Sequence, residues 1–397
     1  MQRGTAKKDS AGDSMKKELK IAIAIFVNAF VLGLNITGIM PVLSMVSERY
    51  AGISTGMIQL LQTLPYALLM VGSFVVGNLT MRFSKKKIVL AGLIIVGFFG
   101  TLPALFDAFP VLFLCRLFIG FGFGIYSPMN TAIIAEFFPP EKRGSFMGLH
   151  VVGMGIGTML CNMTGGLLAK SGLRYFYLVY LIAFLGAVVV GLVLPETPVV
   201  SAEKAANMKL NSMVYALSVM FFAHTLFINA YNTNISLFIS ENISTDPGVS
   251  GLATSVSAAF AMCVGLLFTK ISGLMRRATL PFSIFCAAAG YAAVLFIPGM
   301  PGVMIASALC GASLSCFSAM GSFLISVSVE PEAVAKASGI YSIIGGIGGL
   351  IAPIVLSGTA NALGGNTPNN QFITAFVGML LLGIAVSVFI FRKKEES

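Results

Sequence analysis

The sequence predicts an all-α membrane protein, with twelve transmembrane helices arranged as two pseudo-symmetric six-helix bundles. Three observations predict it. Of the 397 residues, 57% are hydrophobic and only 10% are charged. A soluble protein carries about 25% charged residues, so this chain has too few to cover a water-facing surface. Apolar runs alternate with short polar hinges, and positive charge collects in every second hinge. Finally, the second half of the chain repeats features of the first.

The apolar runs fall at about 20–45, 55–79, 88–107, 111–135, 145–169, 174–194, 209–236, 250–273, 280–297, 301–327, 338–361 and 372–392. Each is long enough for a helix of about 20 residues to cross hydrocarbon. Runs three and four are divided only by Asp107 to Pro110, and nine and ten only by Pro298 to Pro301. The first run is too long for a signal peptide's apolar core and has no small-residue cleavage site after it, so it reads as the first span.

Positive charge sets the threading. With the N-terminus in the cytoplasm, the inner segments hold all but four of the 25 Lys and Arg. The outer loops hold Arg49, Lys170 and Arg174, and Arg116 lies within the fourth span. A miscounted span in mid-chain would invert every later loop and destroy this asymmetry. Both termini are therefore expected in the cytoplasm of a multi-pass protein of the cell membrane. The densest hinge is Gly77 to Lys87, which contains Arg82, Lys85, Lys86 and Lys87 and no acid.

The repeat recurs at about half the chain length. Gly77, Leu79, Arg82 and Ser84 match Gly265, Leu267, Lys270 and Ser272. Gly120 matches Gly311, Pro140-Glu141 matches Pro331-Glu332, and Gly148 matches Gly339. Gly155 and Gly157 match Gly346 and Gly348. The expected bundles are 1–198 and 212–397, joined by a cytoplasmic linker at 199–211.

Several classes are excluded. The +10 net charge is spread over many loops, whereas a nucleic-acid binder concentrates it on one face. The six cysteines all lie in apolar runs without a Cys-x-x-Cys pair, which suits packing and not a metal site. There is no His-Glu-x-x-His, no Gly-x-Ser-x-Gly and no phosphate-binding loop, so neither an enzyme nor a cofactor is expected.

These residues resemble the major facilitator superfamily over almost the whole chain. The hinge after span two is similar to that family's loop in Gly77, Leu79, Arg82 and Lys85 to Lys87, and Arg116 and Gly120 resemble its span-four pattern. Pro139 to Gly144 resembles its loop between spans four and five, and Leu194 to Pro198 the end of its span six. Three departures stand out. Met81 occupies the place of a loop Asp, and Ser84 that of a Gly. The Gly-Pro of the drug-proton exporters' span-five motif is replaced by Cys161-Asn162. The resemblance implies a secondary transporter working by alternating access, in which spans one, four, seven and ten line the solute path. It also implies gate roles for Gly77, Arg82, Lys85, Lys86, Gly265, Lys270 and Arg276.

Polar residues inside the spans are the candidates for solute contact. Arg116 costs about 3 kcal/mol to place in the bilayer. It either binds an anionic solute group, or snorkels outward or caps carbonyls of a neighbouring helix. Ser127 and Asn130 share its helix face. Asn28 and Asn35 share a face of span one, and Gln59 and Tyr66 a face of span two. His224 shares a face of span seven with Tyr231, and Asn232 lies on the adjoining arc. Each of these could equally be an inter-helix hydrogen bond.

The expected partners are the bilayer, a small organic solute, and protons or a counter-solute, for a monomeric protein that binds no nucleic acid. Proton-linked export is the first expectation. Uptake or exchange of an organic anion is the alternative, favoured by Arg116 without an acidic partner. A non-transporting membrane sensor with the same fold is a second alternative.

Overall fold

The computed structural model describes residues 2–34, 39, 42–53, 55–169, 171–199, 210–244 and 247–392. These residues form α-helices and short 3-10 turns, with no strand among them. The helices in order are α1 (Gln2–Leu32), α2 (Leu43–Arg49), α3 (Thr55–Leu79), α4 (Lys85–Thr101), α5 (Phe109–Phe137), α6 (Pro140–Ala169), α7 (Leu173–Phe176) and α8 (Leu181–Val193). They continue with α9 (Ser212–Asn242), α10 (Pro247–Met275), α11 (Thr279–Phe296), α12 (Met300–Ser328), α13 (Val334–Ala362) and α14 (Pro368–Arg392). Among the described residues, nine helical stretches are long and apolar enough to cross a membrane, and the longest, Gly251–Phe296, takes in most of α10 and all of α11.

Helix ends follow local chemistry. Ser84 is extended and its hydroxyl accepts from the Lys87 amide, capping α4. Asn211 caps α9 by accepting from the Met213 amide. Phe138, extended before Pro139-Pro140, ends α5, because a residue before proline is driven out of the helical region. The first apolar run differs from expectation. Its helix begins at Gln2 and stops at Leu32, and a separate helix, α2, covers Leu43–Arg49. Most of the linker expected at 199–211 lies outside the described residues.

The helices cluster into two compact units. One comprises Met1–Pro139 and Ile156–Met208, the other Pro140–Gly155 and Lys209–Ser397. Helix α6 is thus shared, with its first half packed in the second unit.

Small residues let helices approach closely where no hydrophobic force draws them together. In the first unit, a Cβ on Gly120 of α5 would strike the Pro65 carbonyl of α3, and one on Gly157 of α6 the Phe30 carbonyl of α1. In the second, a Cβ on Gly311 of α12 would strike the Ser257 carbonyl of α10, and one on Gly348 of α13 the Phe222 carbonyl of α9. The glycine pairs that repeat in the sequence therefore make the same two backbone contacts in each unit.

Candidate functional site

In the first unit, α1 and α5 meet through Asn28 and Asn130. The Asn28 amide donates to the Asn130 side-chain oxygen at 2.6 Å, and Asn130 donates to the Ile25 carbonyl at 3.4 Å. Both side chains are buried, and the Asn28 Oδ1 has no hydrogen-bond partner among the described residues.

Arg116 lies nearby in sequence but has other commitments. It is 2% exposed. Its Nε donates to the Leu61 carbonyl of α3 at 3.0 Å, and a terminal nitrogen donates to the Tyr180 hydroxyl at 3.2 Å. The guanidinium therefore ties α3, α5 and the 3-10 turn Tyr177–Tyr180 together, which is the carbonyl-capping arrangement. Ser127 and Tyr66 are half-buried. Asn35 and the side chain of Gln59 lie outside the described residues.

In the second unit, His224 is fully buried between α9 and α12. Its Nε2 is 3.0 Å from the Ser313 hydroxyl, and its ring stacks on Phe317 at 4.1 Å between centroids. The stack continues from Phe317 to Phe221 at 6.0 Å, and from Phe221 to Tyr341 of α13 at 4.3 Å. All three pairs are within 15° of parallel. The His224 Nδ1 and the Tyr341 hydroxyl, at either end of the stack, have no hydrogen-bond partner among the described residues.

Tyr231 does not join this cluster. Its hydroxyl donates to the Ala253 carbonyl at 3.4 Å, and its amide donates to the Tyr291 hydroxyl, which binds α9 to α10 and α11. Asn232 is exposed. Sequence reading missed Asn234, two residues on, whose amide donates to the Gln371 side chain of α14 at 2.7 Å. It also missed the Phe221–Phe317–Tyr341 stack, since phenylalanine is abundant in every span and carries no polar signal.

The hinge after α3 is held by its own unit. Lys85 is buried and forms an ion pair with Glu136 at the end of α5. The Ser84 hydroxyl donates to Glu196 at 2.8 Å, and the Lys85 amide donates to the Thr197 hydroxyl at 2.8 Å. Gly77 accepts from the Thr80 hydroxyl, Arg82 is exposed and Lys86 is half-buried. The serine in place of the family's glycine thus caps a helix and also holds the chain leaving α8. In the counterpart hinge, Gly265 packs on α6, where a Cβ on Gly148 would strike its carbonyl. Lys270 and Arg276 are exposed.

On the opposite side of the α3–α5 hairpins, Asp107 accepts from the Arg49 guanidinium and from the Tyr50 hydroxyl at 2.9 Å. The arginine hydrogen bond, with the tyrosine's behind it, holds the Asp107 carboxyl below its usual value.

Two tandem copies of the Major Facilitator Superfamily family model match residues 25–216 and 217–397. The 3-(3-hydroxy-phenyl)propionate transporter of Escherichia coli is 23% identical over 82% of this chain and 83% of its own. Among solved structures, the human organic anion transporter MFSD10 (TETRAN) superposes with a TM-score of 0.75 over 94% of this chain and 99% of that one, at 13% identity. The proton:xylose symporter XylE superposes with a TM-score of 0.75 over 94% of this chain and 95% of that one, at 14% identity. With its two glycine-matched repeats and its matched family model, the chain belongs to the major facilitator superfamily, whose members are membrane transporters of small solutes and not enzymes.

Proposed function

We propose that the chain is a twelve-span secondary transporter of the cell membrane, with bundles at 1–198 and 212–397 and cytoplasmic termini, that moves a small aromatic organic anion by alternating access. One observation carries the choice of solute contacts. Two buried polar atoms on residues nominated from the sequence, Asn28 Oδ1 and His224 Nδ1, lack a partner among the described residues. A buried acceptor left unpaired costs about 1–3 kcal/mol, so such atoms persist where another group completes them for part of the cycle. They lie on α1 and α9, the first long helix of each repeat, two residues from the repeat-equivalent Phe30 and Phe222.

Charge and shape favour an aromatic acid. Within the nine stretches found among the described residues, Asp and Glu occur only near the ends, so no carboxylate at mid-span opposes a solute anion. The stacked Phe317, Phe221 and Tyr341 rings put aromatic surface next to His224, an environment suited to an aryl group. One relative matched along most of the chain is named for an aryl propionate.

Proteoliposomes loaded with unlabelled 3-(3-hydroxyphenyl)propionate and exposed to a labelled arylcarboxylate test the reading. Saturable counterflow that weakens in Asn28→Ala and His224→Ala through a raised KM is expected. Flux no greater than in empty liposomes for a panel of arylcarboxylates overturns it. Proton-linked export is a second reading, favoured by an imidazole inside a span that has no carboxylate at its own depth. It requires that an imposed pH gradient drive flux, and that His224→Gln abolish the drive but spare counterflow.

A further inference from the structure

The second unit holds a cavity of about 650 Å³ that none of the residues nominated for solute contact lines. Ligand pockets run from about 300 to 1,000 Å³, so this one has room for a sizeable molecule. It sits where α6 and α9 begin and where α10 and α14 end. Its walls divide by chemistry. Met213, Met320, Phe323, Leu324, Phe389 and Ile390 are apolar. Arg276 and Arg277, with the Thr269 and Ser272 hydroxyls and Glu141, form the polar part.

Both arginines are exposed, and among the described residues neither forms a salt bridge. Two arginines and one glutamate line the cavity, so its lining carries a net single positive charge over an apolar chamber. Arg276 has a φ of +48°, in the left-handed region that costs a non-glycine residue about 1–2 kcal/mol. Glycine would relieve that strain, so the side chain is retained at a cost, as happens at functional positions.

We propose that this cavity binds a singly charged amphiphile, its anionic head at Arg276 and Arg277 and its hydrocarbon among Met320, Phe323 and Phe389. The head is a carboxylate or phosphodiester. The source is either an anionic phospholipid of the surrounding leaflet or a free amphipathic acid from solution. An occupant touches α6, α9, α10, α12 and α14 together, so it stabilises the arrangement in which the first half of α6 packs on α10. It therefore acts on the transport cycle from outside the set of solute contacts proposed above.

The chain has no tryptophan, so Phe323→Trp introduces a single indole reporter in the cavity wall. Purified protein in phosphatidylcholine nanodiscs is titrated with dodecanoate, and with dodecanol as the neutral counterpart. A saturable blue shift with dodecanoate that is at least about tenfold weaker with dodecanol, in Arg276→Gln/Arg277→Gln, and at high salt is expected. A blue shift already present in nanodiscs containing phosphatidylglycerol, with no further response to dodecanoate, assigns the site to the lipid. A response to dodecanoate in both nanodiscs assigns it to the free acid. Native mass spectrometry of the protein without the reporter checks the same point, with retained phosphatidylglycerol or dodecanoate falling in the double variant. Equal response to dodecanol and dodecanoate, no saturable response, or unchanged binding in the arginine variant overturns the proposal.

Discussion

Lys85 and Glu136 form an ion pair that joins the first turn of α4 to the last turn of α5, with side chains only 3% and 16% exposed. A hinge whose charges serve only to orient the chain would leave its lysines in water. Here one lysine is withdrawn into the unit, and its backbone amide is held by Thr197. Removing one partner strands the other charge in a poor solvent, a loss of about 3–5 kcal/mol for a buried pair. Glu136→Gln should fall at the low end of that range, since Glu136 is partly exposed. Thermal unfolding in detergent should show each single variant well below the parent and Lys85→Met/Glu136→Leu close to it. A double variant as unstable as the singles would mean the pair is not what holds the hinge.

Arg116 distinguishes an anchor from a solute contact. Its Nε and a terminal nitrogen go to Leu61 and Tyr180 in directions a lysine ammonium cannot reproduce. Arg116→Lys should therefore lower the unfolding temperature and the maximal transport rate together, with little change in KM. Tyr180→Phe removes one neutral acceptor and should cost about 1 kcal/mol. A raised KM for anionic solutes at unchanged thermal stability would return Arg116 to the solute path.

The fold was legible because hydrocarbon imposes it. The apolar runs and the glycine repeat both derive from the same constraint, that helices crossing lipid must be apolar and close-packed. The candidate site was legible only in part. Asn28, Asn130 and His224 stood out as polar groups where burial is costly, and they are buried. Tyr231 stood out for the same reason, yet its hydroxyl serves the α9–α10 contact. A helical face tells which residues point together, and the partner on the next helix decides whether a group is satisfied. The aromatic stack and the arginine-rimmed cavity depend wholly on such partners, and no periodicity in one helix encodes them.

The repeated glycines give a paired prediction. A methyl at Gly120 or Gly311 would meet a backbone carbonyl that cannot swing aside. Gly120→Ala and Gly311→Ala should each destabilise by about 1–3 kcal/mol or more, the range for overpacking. Gly251 lies in α10 with nothing within 4 Å of the added carbon. Gly251→Ala should be neutral or raise stability by about 0.4–1 kcal/mol, through lower unfolded-chain entropy. Equal effects at the three positions in a thermal-shift assay would contradict the close approach of α5 to α3 and of α12 to α10.

Asp107 gives the chain an acid limit. Its carboxyl is held below the ordinary aspartate value of 3.8, first by the Arg49 hydrogen bond and then by that of Tyr50. A lowered folded-state pKa means that the unfolded chain takes up the proton first. The contribution is therefore full above pH 3.8, and it is lost as pH falls through the lower folded value. Tyr50 works in the opposite direction. Partial burial, then its hydrogen bond to Asp107, pushes its hydroxyl up to about 12, so its share is present below pH 10 and lost as pH rises towards 12. Because the cluster is open to solvent, the effect is small and salt-sensitive. Asp107→Asn should flatten the part of the acid-side stability curve that lies below pH 3.8, and should also lower the alkaline midpoint of Tyr50. Unchanged curves at both ends in low-salt thermal melts would show that the three side chains do not act as one cluster.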